Sequence, residues 1–149
     1  MNLLIAFLFF ITFLEGTIIS FDLVLVILIS RSFIVHEKSN YYLAFFFGLL
    51  ASLLLGYPSG LLSLVYLGAV QTSHIIKTTN LAVYWIVILP LTFFWLFLEQ
   101  IILNFLNIAN FNLMFIIIPT ILALPVYFLI RFWEERFIVS KEIKLRMGK

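Results

Sequence analysis

Three carboxylates stand apart from the other charges in this sequence. Glu15, Asp22 and Glu99 adjoin long apolar runs, while the nine Lys and Arg residues fall elsewhere, at Arg31, Lys38, Lys77, Arg131, Arg136, Lys141, Lys144, Arg146 and Lys149. An acid beside an apolar segment is unfavourable unless something pairs with it. The plain reading is that the three sit in water at helix ends; such groups can also cap a helix, relay protons, or meet a cation brought by a partner protein. A relay needs ionisable groups strung through the apolar layer, and no such chain of groups is present at mid-segment. Asp22 directly precedes an apolar run and reads as a helix-capping residue, favoured there by the helix dipole. All three are also candidate partner contacts. Glu99 is the foremost of these, because it lies within an apolar segment next to Gln100 and not in a loop.

Little else in the chain suggests chemistry. There is no cysteine, hence no disulfide, thiol redox or Cys-based metal site. His36 and His74 are isolated and carry no carboxylate motif, which is weak ground for a metal. No HExxH, GxSxG, phosphate-cradling glycine loop or carboxylate cluster occurs. No catalytic, metal or cofactor-binding residue is therefore expected, and a scaffold or transporter is favoured over an enzyme. A formal charge of +2 is too small to suggest nucleic-acid binding.

The elements that must position these acids are apolar. The chain is 64% hydrophobic and 11% charged, against roughly 25% charged for a soluble domain. One small core cannot hide that excess, so an all-α integral membrane protein is expected. Charged and turn residues cut the sequence into six segments, about 2–14 (running on toward 19), 21–35, 41–55, 58–76, 81–103 and 112–133. They do not alternate as barrel strands would. Helices also satisfy every backbone group within one segment, as lipid demands. The fifth and sixth segments can span a ~30 Å core, whereas the first three are short and must tilt little, thin the bilayer or use flanking residues. The N-terminus lacks a basic region and a small-x-small cleavage site, so it reads as a first membrane helix, with a signal peptide as the alternative.

Residues 41–73 contain no charged residue and no histidine. One helix that long would span roughly 50 Å, too long for one crossing. The turn must fall at Gly56-Tyr57-Pro58-Ser59-Gly60. Gly56 can end the third helix and Pro58 can open the fourth. Tyr57 then sits in an interfacial belt. The alternative is a broken helix lining a site, which would call for longer flanks or a matching interruption elsewhere.

Six crossings place both termini on one side together with every Lys and Arg, and the positive-inside rule makes that side cytoplasmic. Residues 1–133 form the expected transmembrane domain and 134–149 a basic juxtamembrane tail. In that tail Lys and Arg attract anionic lipid, at ~1 kcal/mol each. Glu134, Glu135 and Glu142 weaken this, and contact with a cytoplasmic partner is the other reading. Arg31 is expected to snorkel to the headgroups. Pro119 and Pro125 fall inside helix six and are expected to kink it, either for packing or as a moving element. The Asn-rich stretch 104–112 could form a short interfacial segment.

"FDLVLVILI" (21–29) and "FFFGLLASLLLGYPSGLLSLVYL" (45–67) resemble helix two and the Gly-Leu-Leu, Gly-x-Pro-x-Gly-Leu run of the rod shape-determining protein MreD family. Gly48, Leu49, Leu50, Gly56, Pro58, Gly60 and Leu61 carry the match. Two positions depart: Phe21 replaces a usual Pro, and Ser52 a frequent acid, so a role needing charge there does not carry over. The resemblance implies a non-enzymatic scaffold of the bacterial cell-elongation machinery (the elongasome), which organises peptidoglycan synthesis and cell shape. It would sit multi-pass in the inner (plasma) membrane. The implied partners are an MreC-like protein, RodA, a class B penicillin-binding protein and MreB. The family's six-helix bundle is similar to the S component of energy-coupling-factor transporters, so a vitamin-binding S component is the alternative. Against it, helix one presents bulky Phe and Leu where close docking wants small residues, and the outer loops offer few polar groups to orient a ligand.

Overall fold

The apolar runs fold as helices, and the turn residues between them as short connections. The computed structural model describes the backbone of residues 2–18, 21–35, 37–79 and 85–147, and the side chains of these except 2–3 and 137–147. His36, residues 81–84 of the fifth segment, and the side chains of Lys141, Glu142, Lys144, Arg146 and Lys149 lie outside the described set. The helices are α1 (Asn2–Thr17), α2 (Leu23–Ile34), α3 (Ser39–Leu54), α4 (Leu61–Lys77), α5 (Ile88–Phe105, entered through a 3₁₀ turn at Trp85–Val87) and α6 (Met114–Met147). The result is an all-α bundle. Two stretches, Trp85–Phe105 and Met114–Arg136, are long and apolar enough to cross a membrane.

α2 is the centre of the bundle. Every residue from Val24 to Phe33 is buried, and α1, α3, α4, α5 and α6 all pack against it. The apolar run 23–29 carries no polar face to turn toward water, which suits this enclosure. Termini that are distant in sequence meet at two ends. The ends of α1 and α5, the starts of α2 and α6, and the α3–α4 turn gather at one, here the acidic end. At the other, the basic end, Arg31 binds Asn40 Oδ1, Glu134 Oε1 at 3.2 Å and Glu37 Oε2 at 3.5 Å, while Lys77 Nζ donates to the Ile34 carbonyl. Arg31 is only 4% exposed. It does not snorkel, because α2 is enclosed and its charge is compensated within the protein.

The α3–α4 connection is a turn and not a broken helix. Tyr57 N–H donates to Ser52 O at 2.8 Å and Gly56 N–H to Leu53 O at 3.4 Å, with Gly56 at φ +71°. This is a Schellman ending. Leu61 N–H closes a second turn on Pro58 O at 3.1 Å, with Gly60 at φ 88°, ψ −4°, as in the third position of a type II turn. Pro58 therefore sits within the turn instead of opening α4, since the positive φ at Gly60 cannot belong to a right-handed helix. Stretch 104–112 holds a second Schellman ending: Asn107 at φ 55°, with Ile108 N–H on Leu103 O at 3.0 Å.

α3 and α4 touch backbone to backbone. A Cβ on Gly48 would lie 2.5 Å from Ser63 Cα. Ser52 Oγ donates to Gly48 O at 2.9 Å and accepts Leu62 N–H at 3.2 Å, so Ser52 joins the two helices without charge. α6 runs unbroken through Pro119 and Pro125 and across the 133/134 boundary to Met147, so the expected tail continues the last helix.

Gly48 and Gly56 are glycines for different reasons. Gly48→Ala meets backbone and is expected to lower stability by about 1–3 kcal/mol. Gly56 has open space around it and needs only a positive φ, which Asn tolerates, so Gly56→Asn should leave stability nearly unchanged. Thermal unfolding of the purified variants in detergent checks both; equal losses would contradict the close helix contact.

Candidate functional site, an acid-lined cavity

The first turn of a helix leaves backbone N–H groups without partners, and α2 begins inside the protein. Two carboxylates supply the missing acceptors. Glu15, near the end of α1, accepts Leu23 N–H at 2.5 Å and Val24 N–H at 2.7 Å on Oε1. Asp22 caps the helix by accepting Leu25 N–H at 2.7 Å on Oδ1. Its Oδ2 accepts the Tyr66 hydroxyl at 2.5 Å, which gives that fully buried phenol a partner. The capping reading of Asp22 thus has its geometry, and Glu15, 7% exposed, is a second acceptor for the same helix rather than a group in open water.

Glu99 is different. It is 5% exposed on α5, and among the described residues it has neither a hydrogen-bond donor nor a basic partner. All three acids line one cavity of about 420 Å³ at the acidic end, together with Phe21, Tyr57, Gln100 and Phe115. Gln100 Oε1 is buried with no hydrogen-bond partner among the described residues. Among the described residues no Lys or Arg lines the cavity.

Tyr57 reaches this cavity because Gly56 and Gly60 set the turn that carries it. Burial first, then the charges of Glu99 and Asp22, push its phenol above the ordinary value. Beyond the interfacial position expected of it, Tyr57 lines the cavity. Pro119 and Pro125 lie away from the cavity. Among the described residues no three His, Cys, Asp or Glu side chains are arranged to hold a metal ion. The cavity therefore offers acceptors, aromatic rings and negative charge, a combination suited to holding a cationic group.

Sequence reasoning grouped the acids but missed Tyr57 and Tyr66. A tyrosine inside an apolar helix is itself a signal, since a buried hydroxyl needs a partner. Comparison of the chain with family models, curated proteins and solved structures finds no match.

Asp22 and Glu99 should part company when mutated. Asp22→Ala removes a cap and the Tyr66 acceptor, and is expected to lower stability by about 1–2 kcal/mol, or roughly 2–8 °C in thermal midpoint. Glu99→Gln keeps the shape of a buried carboxyl that no described donor engages and should not lower it. Parallel thermal unfolding distinguishes them, and a comparable loss in Glu99→Gln would make Glu99 a structural residue.

Proposed function

We propose that this chain is a non-enzymatic membrane scaffold of the bacterial cell-elongation machinery, and that it docks a partner membrane protein at its acidic end. The observation that carries the reading is Glu99, a buried acid facing a cavity that no described Lys or Arg lines. Such a residue suits a complex better than it suits the isolated bundle. The resemblance to the MreD family supports the same reading and names the partners: an MreC-like protein first, then RodA, a class B penicillin-binding protein and MreB.

In this reading all six helices cross the inner membrane. Exposed large apolar side chains on every described helix but the enclosed α2, among them Phe10, Phe46, Leu64, Phe94 and Phe128, support it. A soluble monomer rarely leaves so extensive an apolar surface in water. The basic end faces the cytoplasm and the acidic end faces outward. A second reading, a solute-binding S component, is favoured by the cavity itself. The polar groups that the outer loops lack are supplied here by helix ends.

Orientation is open to a direct test, because the chain has no cysteine. Ser59 and Lys38 are exposed at opposite ends of α3 and its flanking turns. A membrane-impermeant maleimide added to intact cells should label Ser59→Cys and not Lys38→Cys; the reverse pattern would invert the topology.

The function is tested by pull-down from native membranes in mild detergent, with mass spectrometry of proteins and small molecules. Recovery of an MreC-like protein, RodA or a penicillin-binding protein, reduced by Glu99→Gln, is the expected result. Recovery of an ATPase pair with its membrane coupler, or of a bound vitamin, would replace the scaffold with the S component. Undiminished recovery with Glu99→Gln would move docking away from the acidic end.

A further inference from the structure

We propose that the cavity at the acidic end is a binding site for an organic cation, a guanidinium or primary ammonium group that pairs with Glu99. The inference rests on the docking reading only for the side from which that cation arrives.

The lining acids are not equivalent. One Glu15 oxygen and both Asp22 oxygens are engaged by α2 backbone N–H groups and the Tyr66 hydroxyl. Glu99 is 5% exposed and unengaged by any described donor, and it opens on the cavity. Gln100, beside it, holds a buried acceptor oxygen without a donor. Glu99 lacks a donor and a cationic partner and Gln100 lacks a donor, and an ammonium or guanidinium supplies both.

The rings select the kind of cation. Phe21, Tyr57 and Phe115 line the same space. Aromatic faces attract organic cations, whereas a hard metal ion wants several oxygens at short range. The described residues place no three acidic or histidine side chains for that purpose. A volume of about 420 Å³ falls within the ~300–1,000 Å³ range of small-ligand sites. It is ample for a cationic head group with a short alkyl stem. The cation must come from outside the chain's own acidic end, because the described basic side chains near the bundle's polar groups, Arg31 and Lys77, are committed at the opposite end. It can be a basic side chain of a partner or a free small amine.

The test uses the full chain in nanodiscs of zwitterionic lipid, titrated with n-butylguanidinium and n-butylammonium. N-butylurea serves as the neutral isostere, and sodium chloride matches the ionic strength. Saturable binding of both cations by calorimetry is expected, with none for the urea or the salt. Glu99→Gln should weaken binding at least tenfold. Tyr57→Leu should weaken it several-fold while Tyr57→Phe, which keeps the ring, should not; this pair stands even if Glu99→Gln folds poorly. Equal heats from butylurea or sodium chloride, or undiminished binding in both Glu99→Gln and Tyr57→Leu, would overturn the proposal.

The source is read separately. Release of a co-purified partner protein by butylguanidinium assigns the cation to that partner's side chain. Displacement of a small amine seen by native mass spectrometry assigns it to a free solute. Cation binding with no partner recovered would sink the docking reading and leave this site standing. A recovered partner with no cation binding would do the opposite.

Discussion

The enclosure of α2 governs the rest of the structure. Its residues 24–33 are buried without interruption, so neither end of the helix can rely on bulk water. An unsatisfied buried N–H is unfavourable by about 1–3 kcal/mol. Three of them at one helix start would consume much of the 5–15 kcal/mol by which a typical fold is stable. Glu15 and Asp22 answer three such groups, Leu23, Val24 and Leu25. That magnitude settles their first duty as structural, whatever else they do. Twelve residues span only about 18 Å. In the six-crossing arrangement proposed, α2 ends short of both surfaces of a ~30 Å hydrocarbon core, and the space above its start is the acid-lined cavity.

The two ends of the bundle treat charge differently. At the basic end Arg31 is buried, but Asn40, Glu37 and Glu134 surround it, so that breaking the cluster would strand a charge. At the acidic end three carboxyls share a cavity and no described basic residue joins them. The Arg131–Glu135 pair on α6 is exposed at both partners and contributes little. Among the described residues Arg31 is compensated within the bundle, whereas Glu99, the acid that caps nothing, has no described partner.

Much of this was legible in the sequence, and the rest was hidden for a physical reason. The six apolar runs, the turn at 56–60, the separation of acids from bases and the cap at Asp22 all follow from composition, turn chemistry and charge position. Which face of each helix is enclosed does not. When the surroundings are apolar, inner and outer faces both carry Leu, Ile and Phe, so the periodicity that marks a soluble core disappears. Arg31 looked like a residue at a free helix end because nothing in "LISRSFI" reveals that five other helices surround it. Glu15 looked solvated for the same reason. Gly48 was visible only as part of a Gly-Leu-Leu run, and its close contact with Ser63 was not legible.

The turn at 56–60 shows that a tight connection and a binding site are not competing explanations for the same residues. Tyr57 N–H is held by Ser52 O, and Ser52 Oγ is held between Gly48 and Leu62. The backbone of Tyr57 is therefore fixed to both α3 and α4. Tyr66, about one helix turn beyond Leu62 on α4, is in turn fixed to Asp22 at the start of α2. The backbone of Tyr57 and the carboxylate of Asp22 are thus tied into one frame through α4. A serine at 52 achieves this without adding charge. The acidic groups at this end stay Glu15, Asp22 and Glu99, and of the three Glu99 alone has neither oxygen engaged by a described donor.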